Sequence, residues 1–397
     1  MKITGLEVVP FETFVDRISF GQLLTDYRVV QTVTKVHTDE GAEGYYFGGH
    51  FHGDQDGLLP GDQALVTQFL SPLLAGQDPF YRAEIWRQLW AAKLPENVCS
   101  VIDLALWDLA GRVTGLPVSK LLGGARERVK AYASSFNNLG SPDEYAAHAA
   151  ECQRQGYAAY KIHPYHYWNP ATRQPALPRP SYVDWDIQVC EEVRARVGDE
   201  MVLMFDPWGT YHSYEDALRV GRELERLGFY WYEHPMPEYR VESYVRLARE
   251  LDIPICSPEI AEGGIYTRAD WILRGASDIS RIDVLRGGIT GVMKLAGMCE
   301  AVGMRCELHM SGFGNLQVLG ATSEDVCEYY ERGLLGPGAR YATAPPYLEA
   351  SCDPLGPDGC VELPQAPGLG YRIRWDYLET HRLPESAAEP VAPLHPR

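Results

Sequence analysis

Between residues 201 and 332, short apolar runs recur along the chain, and each of them ends at an acidic residue or a histidine. These six residues, spaced 22 to 27 positions apart, are Asp206, Glu233, Glu259, Asp283, His309 and Glu331. The interval accommodates one strand, one loop and one helix, and uninterrupted apolar runs are typical of parallel strands buried on both faces. The repeat therefore predicts a (β/α)8-type barrel, whose strand C-terminal ends converge on one rim.

The residues before this repeat predict a separate α+β unit. Residues 1–60 contain β-rich runs that read as antiparallel strands, and residues 63–115 carry apolar positions at helical spacing. Residues 14–27, between the first two strands, are interpreted as an irregular apolar loop. The predicted α/β architecture has a capping domain over residues 1–125, a barrel over 126–340, and a C-terminal segment over 341–397 that returns to the cap and ends in disorder.

Charge and composition restrict the partners of the chain. The formal net charge is −18 over 397 residues, which argues against a surface for nucleic acid or anionic membrane because such a surface needs a basic patch. We find neither a signal-peptide pattern nor an apolar run near the roughly 18 residues of a membrane span. The nine cysteines are scattered without metal-type spacing, and a reducing cytoplasm is the simplest compartment for them.

Three of the strand-end acids suggest a metal site. Asp206, Glu233 and Glu259 end consecutive strands, and carboxylates clustered without a counter-charge repel each other. A hard divalent cation removes this repulsion, and Mg2+ takes carboxylate oxygens together with water and substrate. The alternative is that all three are ordinary surface acids. Their shared phase in the repeat favours the metal site.

Two further pairs of residues are candidates for proton transfer. Lys161 and His163 stand two positions apart in the predicted strand YAAYKIH, so both face the same side. A lysine in a desolvated cationic site has a lowered pKa and can act as a base, while His163 is either that base or a positioning group. His309 and Asp283 end neighbouring strands, where a carboxylate orients an imidazole and raises its pKa.

The remaining candidates are less specific. Glu331 ends the last apolar run, where a protonated carboxyl could donate to a substrate oxyanion, and Glu328 is its rival for that role. Four histidines fall in predicted loops, where each is either a substrate contact or ordinary polar surface: His50, His52, His166 and His212.

Taken together, these motifs resemble the enolase superfamily, and within it the mandelate racemase-like branch. The resemblance extends over about residues 1–380. It rests on the helix SVIDLALWDLAGRVTGLPVSKLLGG, the acids in FDPW, YEHP and SPE, the turn IDVLRGGITG, and the motifs CELH and PQAPGLGY. The resemblance implies a cap whose loops, near residues 15–30 and 50–55, close over the substrate. It also implies a homo-oligomer.

The same resemblance implies roles for individual residues. The Mg2+ ligands would be Asp206, Glu233 and Glu259. Lys161 matches the first lysine of the family's Lys-x-Lys motif, and His309 with Asp283 matches the His-Asp dyad. That dyad separates this branch from the muconate lactonizing branch, which has a lysine on the later strand. Glu331 matches the glutamate that hydrogen-bonds the substrate carboxylate.

Two positions depart from the family pattern. His163 stands where the family usually has its second, catalytic lysine, so the identity of the base on that face stays open. Trp208 stands where a polar residue often follows the first metal-binding aspartate, so a substrate contact differs there. Either departure can mark a subgroup with its own substrate.

The implied reaction is Mg2+-dependent abstraction of the proton alpha to a carboxylate of a small molecule. The enediolate must be stabilised by the metal and by preorganised donors. Loss of a β-hydroxyl from it converts an acid sugar into a 2-keto-3-deoxy sugar acid, whereas reprotonation makes the protein a racemase or epimerase. We expect the dehydratase by analogy with the branch. A barrel that had become a mere binding protein would lack metal acids or bases, and both sets are present.

Overall fold

The structure of the chain is a computed structural model. The residues it describes are 1–19, 22–50, 57–164, 168–169, 174–175, 179–341 and 343–384. Two of the histidines considered as substrate contacts, His52 and His166, lie outside these residues. Residues 385–397, for which disorder is predicted, also lie outside them.

An antiparallel sheet opens the chain. Its strands are β1 (Ile3–Ser19), β2 (Gln22–Thr38) and β3 (Glu43–Phe47). The irregular loop predicted over residues 14–27 is wrong where the structure describes them, because positions 14–19 of β1 pair with positions 22–28 of β2 in a long hairpin. A register shift between Val15 and Arg17 accommodates an irregularity within this pairing. Arg340 anchors this hairpin by donating a 2.7 Å hydrogen bond to Asp16.

Helices cover the sheet, as their apolar periodicity predicts. They are α1 (Pro60–Ala64), a π-helical stretch (Leu65–Leu70), α2 (Ser71–Leu74), α3 (Arg82–Ala91), α4 (Glu96–Thr114) and α5 (Val118–Leu121). Two buried aspartates of α4 connect the parts of the molecule. Asp108 accepts hydrogen bonds from the backbone N–H groups of Tyr45, in β3, and of Leu369, near the C-terminus. Asp103 accepts two hydrogen bonds from Thr290, which belongs to the barrel. One comes from its backbone N–H and the other from its hydroxyl.

The second sheet contains eight parallel strands. In chain order these are β4 (Arg128–Ser135), β5 (Ala159–Ile162), β8 (Val202–Phe205), β9 (Trp231–Glu233), β10 (Ile255–Cys256), β11 (Ile279–Ile282), β12 (Arg305–Leu308) and β13 (Tyr329–Leu335). Between β5 and β8, the strands β6 (Trp168–Asn169) and β7 (Gln174–Pro175) form a separate antiparallel ribbon. The parallel ladder runs β12-β11-β10-β9-β8-β5-β4-β13. The two end strands of this ladder, β12 and β13, are linked by hydrogen bonds. The Glu307 carboxylate of β12 accepts them from the backbone N–H groups of Glu328 and Tyr329, at the start of β13. The predicted α/β barrel fold is confirmed.

Each barrel strand from β4 to β12 is followed by a helix. These helices are α6 (Pro142–Arg154), α7 (Arg179–Val197), α8 (Tyr214–Arg226), α9 (Val241–Glu250), α10 (Gly264–Arg274), α11 (Gly288–Val302) and α12 (Phe313–Ala321). Inside the strands, a buried cluster forms a floor from Tyr132, Ala159, Met204, Trp231, Cys256, Ile279 and Tyr329. Because side chains alternate along a strand, the next inward residues lie on the C-terminal side of this floor.

The C-terminal segment packs back onto both earlier parts. Its strand β14 (Cys360–Glu362) pairs antiparallel with β4, and its helix α13 (Trp375–His381) precedes Leu383, whose N–H donates to the carbonyl of Pro10. The exact domain boundaries at residues 125 and 340 stay predictions. Across the described part of the chain, no helix is both long and apolar enough to cross a membrane.

Candidate active site

The residues that end the apolar runs converge on the C-terminal rim of the barrel. Asp206, Asp283 and His309 directly follow β8, β11 and β12, and Glu259 lies three residues beyond β10. These four residues are buried. Asp206, Asp283 and His309 continue the inward phase of their strands, whereas Glu259 reaches the same space from the segment after β10. The rim therefore concentrates three carboxyl groups and an imidazole.

Lys161 lies among carboxylates. Its Nζ is 2.8 Å from Glu331 Oε1, 3.2 Å from both carboxylate oxygens of Glu233, and 3.4 Å from Asp206 Oδ2. Burial opposes the charge, but Glu233 and Glu331 outweigh it and hold the pKa of Lys161 well above its ordinary value. The lowered lysine pKa considered from the sequence presumed a cationic neighbourhood, whereas three carboxylates surround Lys161.

Arg281 is a buried cation that the sequence analysis missed. Its Nε lies 2.7 Å from Glu233 Oε1, and its Nη2 donates hydrogen bonds to Glu331 Oε2 at 2.6 Å and to the Tyr132 hydroxyl at 2.9 Å. Lys161 and Arg281 thus balance Glu233 and Glu331 in one layer beneath the rim. The sequence contained one indication of this role. Arg281 lies within a predicted strand, two residues before Asp283, and therefore on the same inward-facing side as that aspartate.

A second missed residue, His234, lies in a group suited to a metal ion. Asp206, His234 and Glu259 each offer a ligand atom, and these atoms all lie within 4.8 Å of one another. Two carboxylates and an imidazole fit a divalent cation. Burial opposes protonation of His234, but Glu238 and Glu259 raise its pKa to about 9. A cation bound by this ring must therefore displace a proton.

Glu233, the third ligand expected from the sequence, is engaged elsewhere. Besides its contacts with Lys161 and Arg281, its Oε2 accepts a 3.0 Å hydrogen bond from Trp231 Nε1. The side chain is completely buried. The place of Glu233 among the metal ligands stays a prediction. The sequence indicated a role for His234 only through its position directly after Glu233, in the motif YEHP.

The ring of His163 is oriented by the neighbouring strand. Its Nδ1 lies 2.5 Å from the carbonyl oxygen of Ser135, at the end of β4, and its Nε2 lies 3.0 Å from Asp206 Oδ2. Because a carbonyl oxygen can only accept, Nδ1 carries the hydrogen of this contact. The contact with Ser135 therefore fixes the orientation of the ring, and Nε2 is the nitrogen that faces the rim.

His309 and Asp283 form the contact expected of a dyad. His309 Nδ1 lies 2.8 Å from Asp283 Oδ2, and its Nε2 lies 2.9 Å from Glu259 Oε1. Burial opposes the charge on this imidazole, but Glu259 and Asp283 outweigh it and raise the pKa of His309 to about 10. With a carboxylate at each nitrogen, His309 is a proton donor in this arrangement.

Glu331 joins the site from within a strand, because β13 continues to Leu335. Besides Lys161 and Arg281, its carboxylate accepts hydrogen bonds from Ser134 Oγ and from the backbone N–H of Met310. Burial raises the pKa of Glu331, but Lys161 and Arg281 outweigh it and hold the pKa well below its ordinary value. These contacts favour a carboxylate over the neutral donor considered from the sequence.

Three further candidates from the sequence are Glu328, His50 and His212. Glu328 pairs with Arg305 Nη1 at 2.8 Å, at the N-terminal side of β13, and so does not share the environment of Glu331. His50 is partly buried, and His212 is exposed. Contacts of His50 and His212 with a substrate stay predictions.

Trp208 is part of the rim. Its ring centroid lies 4.5 Å from that of His163, and its backbone N–H donates a 2.9 Å hydrogen bond to Asp206 Oδ1. Its φ of 52° places it in the left-handed region, which side chains other than glycine seldom adopt. The turn after β8 therefore directs this large ring against the imidazole of His163, beside Asp206.

Comparison with known proteins relates this geometry to a family. The chain is 37% identical to D-glucarate dehydratase from Agrobacterium tumefaciens, whose crystal structure, complexed with magnesium, matches with a TM-score of 0.87 over 97% of this chain and all of that chain. It is 26% identical to arabinonate dehydratase of Saccharolobus solfataricus, covering 90% of this chain and 92% of that protein. It is 30% identical to D-galactarolactone cycloisomerase of Agrobacterium fabrum, covering 81% and 85%.

Family-level similarity covers most of the sequence. Residues 18–123 match the mandelate racemase/muconate lactonizing enzyme N-terminal domain, and residues 144–377 match the enolase C-terminal domain-like family. The resemblance drawn from the motifs is thereby confirmed, and the two matched regions correspond to the cap and the barrel. The chain belongs to the mandelate racemase/muconate lactonizing enzyme family of the enolase superfamily.

Proposed function

We propose that the protein is a metal-dependent lyase that dehydrates an acid sugar to a 2-keto-3-deoxy sugar acid. The observation that carries this proposal is that two imidazoles flank the candidate cation ligands: His163 contacts Asp206, and His309 contacts Glu259. Each imidazole presents Nε2 to the space beside the cation ligands, so one can take the alpha proton while the other supplies a proton, as an elimination requires. The names of two relatives, arabinonate dehydratase and D-glucarate dehydratase, support the substrate class.

Asp206 and Glu259 are the two cation ligands common to the sequence pattern and to the three-dimensional group. We propose Mg2+ as the ion of the family pattern, with Glu233 as its predicted third ligand; the magnesium in the related D-glucarate dehydratase structure supports this ion. When bound, the cation supplies positive charge that stabilises the charge developing on a substrate carboxylate. Lys161 and Arg281 balance the charges of Glu233 and Glu331 beneath that position.

The base on the β5 side is His163. Nε2 of His163 takes the proton from the carbon alpha to the carboxylate, and the electron pair of that C–H bond moves into the enediolate. Lys161 lacks a free electron pair while its Nζ is an ammonium held by three carboxylates, so it acts through its charge. Trp208, packed on His163, limits the motion of that ring and lies where a substrate would contact it.

His309 completes the elimination. As the double bond forms between the alpha and beta carbons, the bond from the beta carbon to its hydroxyl breaks, and His309 supplies the proton that makes the leaving group water. Asp283 orients the imidazole through Nδ1 and stabilises its charge. The resulting enol tautomerises to the 2-keto acid.

A substrate screen tests this function. Purified protein with Mg2+ is expected to form a 2-keto acid from at least one member of a library of mono- and diacid sugars, and EDTA is expected to stop the reaction. Formation of 2-keto acid is followed colorimetrically, and a sample without enzyme is the control. If no acid sugar reacts with any divalent cation, the proposed reaction is wrong.

Replacement of His163 by asparagine tests the assignment of the base. An asparagine amide cannot take the proton, so His163→Asn is expected to lower dehydration and deuterium exchange at the alpha carbon by about 100- to 10,000-fold. His381→Asn, in α13, is the matched control. Rates equal to those of the wild type would instead assign the base to Lys161.

An isomerase is the second candidate, because one relative is a cycloisomerase at 30% identity. In that case the enediolate is reprotonated and no water is lost. A reaction in D2O separates the two outcomes, since an isomerase returns deuterated substrate or its isomer without forming a 2-keto acid. Homo-oligomerisation and a cytoplasmic location stay predictions.

A further inference from the structure

Glu259 stands on a stretch of backbone outside the barrel strands. It lies three residues beyond the end of β10, and α10 begins only at Gly264. Hydrogen bonds between neighbouring strands therefore do not hold residues 259–261, although the side chain of Glu259 reaches the same buried space as Asp206. Backbone N–H and C=O groups in such a place need other partners. The position of Glu259 thus depends on side chains from other elements.

Glu238 accepts hydrogen bonds from the N–H groups of this stretch. It lies between β9 and α9, and it is buried. Its carboxylate accepts from three consecutive backbone N–H groups, those of Glu259, Ile260 and Ala261, the last two at 2.8 and 2.6 Å. Hydrogen bonds to an ionised acceptor are roughly twice as strong as those between neutral groups. Glu238 therefore fixes residues 259–261 to the loop that follows β9.

Arg268 donates hydrogen bonds to the carbonyl groups of the same stretch. It lies in α10 and is completely buried. Its Nη2 donates a 2.8 Å hydrogen bond to the carbonyl of Glu259, and its Nη1 donates to that of Ala261. Its Nε donates to the carbonyl of Arg281, in β11, at 3.0 Å. A carboxylate on one side and a guanidinium on the other therefore hold this short segment in place.

We propose that Glu238 is a positioning residue of the active site, which holds residues 259–261 so that the carboxylate of Glu259 faces the rim. There, Glu259 Oε1 lies 2.9 Å from His309 Nε2, and its Oε2 lies 2.5 Å from His234 Nδ1. Glu238 acts on this carboxylate through the backbone N–H groups that it binds. This inference rests on the proposed function, because Glu259 is one of the proposed cation ligands.

Metal affinity, measured without substrate, tests this role. Glu238→Gln keeps the size of the side chain but places an amide NH2 group against at least one backbone N–H, so residues 259–261 are expected to lose their fixed position. Isothermal titration with MgCl2 is expected to show binding weakened by about 10- to 100-fold, the usual effect of removing a group that supports a metal ligand.

Glu225→Gln is the matched control. The carboxylate of Glu225, in α8, accepts hydrogen bonds from the backbone N–H groups of Asp252 and Ile253, which lie before the N-terminal end of β10. This variant is expected to bind Mg2+ as the wild type does, even if its free energy of unfolding falls. Urea denaturation of both variants therefore separates positioning of Glu259 from general stability.

Three outcomes contradict the inference. Wild-type Mg2+ affinity in Glu238→Gln, or an equal loss of affinity in both variants, overturns it and leaves the dehydratase proposal intact. If Glu238→Gln fails to fold, amide hydrogen exchange of the wild type decides, because the peptide containing residues 259–261 is expected to exchange slowly and rapid exchange overturns the inference. Absence of any divalent-cation binding by the wild type overturns both proposals.

Discussion

Replacing His309 by asparagine is expected to lower the rate of dehydration by about 100- to 10,000-fold, the usual contribution of a positioned general acid. His309 is the imidazole with a carboxylate at each nitrogen, 2.8 Å from Asp283 and 2.9 Å from Glu259. Without it, the hydroxyl must leave without a proton donor. Exchange of the alpha proton through His163 is expected to persist, because that base lies on another strand.

Two measurements on the same sample separate these steps. The rate of 2-keto acid formation reports elimination, and loss of the alpha-proton signal in D2O reports proton abstraction. The control is His37→Asn, which changes a histidine of the cap strand β2. If His309→Asn dehydrates the substrate at the rate of the wild type, the assignment of the dyad is wrong. If exchange disappears together with dehydration, His309 contributes to proton abstraction as well.

The substitution Arg281→Met is expected to lower the free energy of unfolding by about 3–5 kcal/mol, the cost of breaking a buried ion pair on one side. The methionine retains much of the side-chain volume but leaves Glu233 and Glu331 with only Lys161 as a counter-charge. It also removes the 2.9 Å hydrogen bond that Arg281 Nη2 donates to the hydroxyl of Tyr132, a residue of the apolar floor. Urea denaturation followed by tryptophan fluorescence measures the change.

The matched control is Arg87→Met on α3. Arg87 is 67% exposed and pairs with Glu84 one helical turn away, so its loss is expected to leave the free energy of unfolding nearly unchanged. A loss of stability in Arg281→Met no larger than in this control would show that Arg281 is not needed to balance the layer. Partial recovery of the free energy of unfolding in Arg281→Lys would separate the role of the charge from that of the hydrogen bonds that the guanidinium donates.

The positions on the rim were predictable because they depend on local periodicity. Asp206, Asp283 and His309 each follow an apolar run directly, so the residue after a buried strand could be identified without knowing its neighbours. The 2.8 Å contact between Asp283 and His309 follows from the parallel order of β11 and β12. Glu331 was less predictable as a strand end, since β13 continues past it.

The hairpin formed by β1 and β2 illustrates where local patterns mislead. Apolar residues clustered over positions 14–27 suggested a loop, yet positions 14–19 of β1 pair with positions 22–28 of β2. Backbone hydrogen bonds between strands depend little on side-chain type, and a single register shift between Val15 and Arg17 restores the pairing.

The sequence by itself determined the family, the α/β barrel with its cap, and the strand-end residues, because strand and helix periods are local and recur along the chain. Only the tertiary structure decided which charges meet. Arg281 of β11 meets Glu233 of β9, His234 turns towards Glu259, and the carbonyl of Ser135 orients His163. Such contacts join residues far apart in sequence, and they depend on burial, which compels each charge to find a partner within reach.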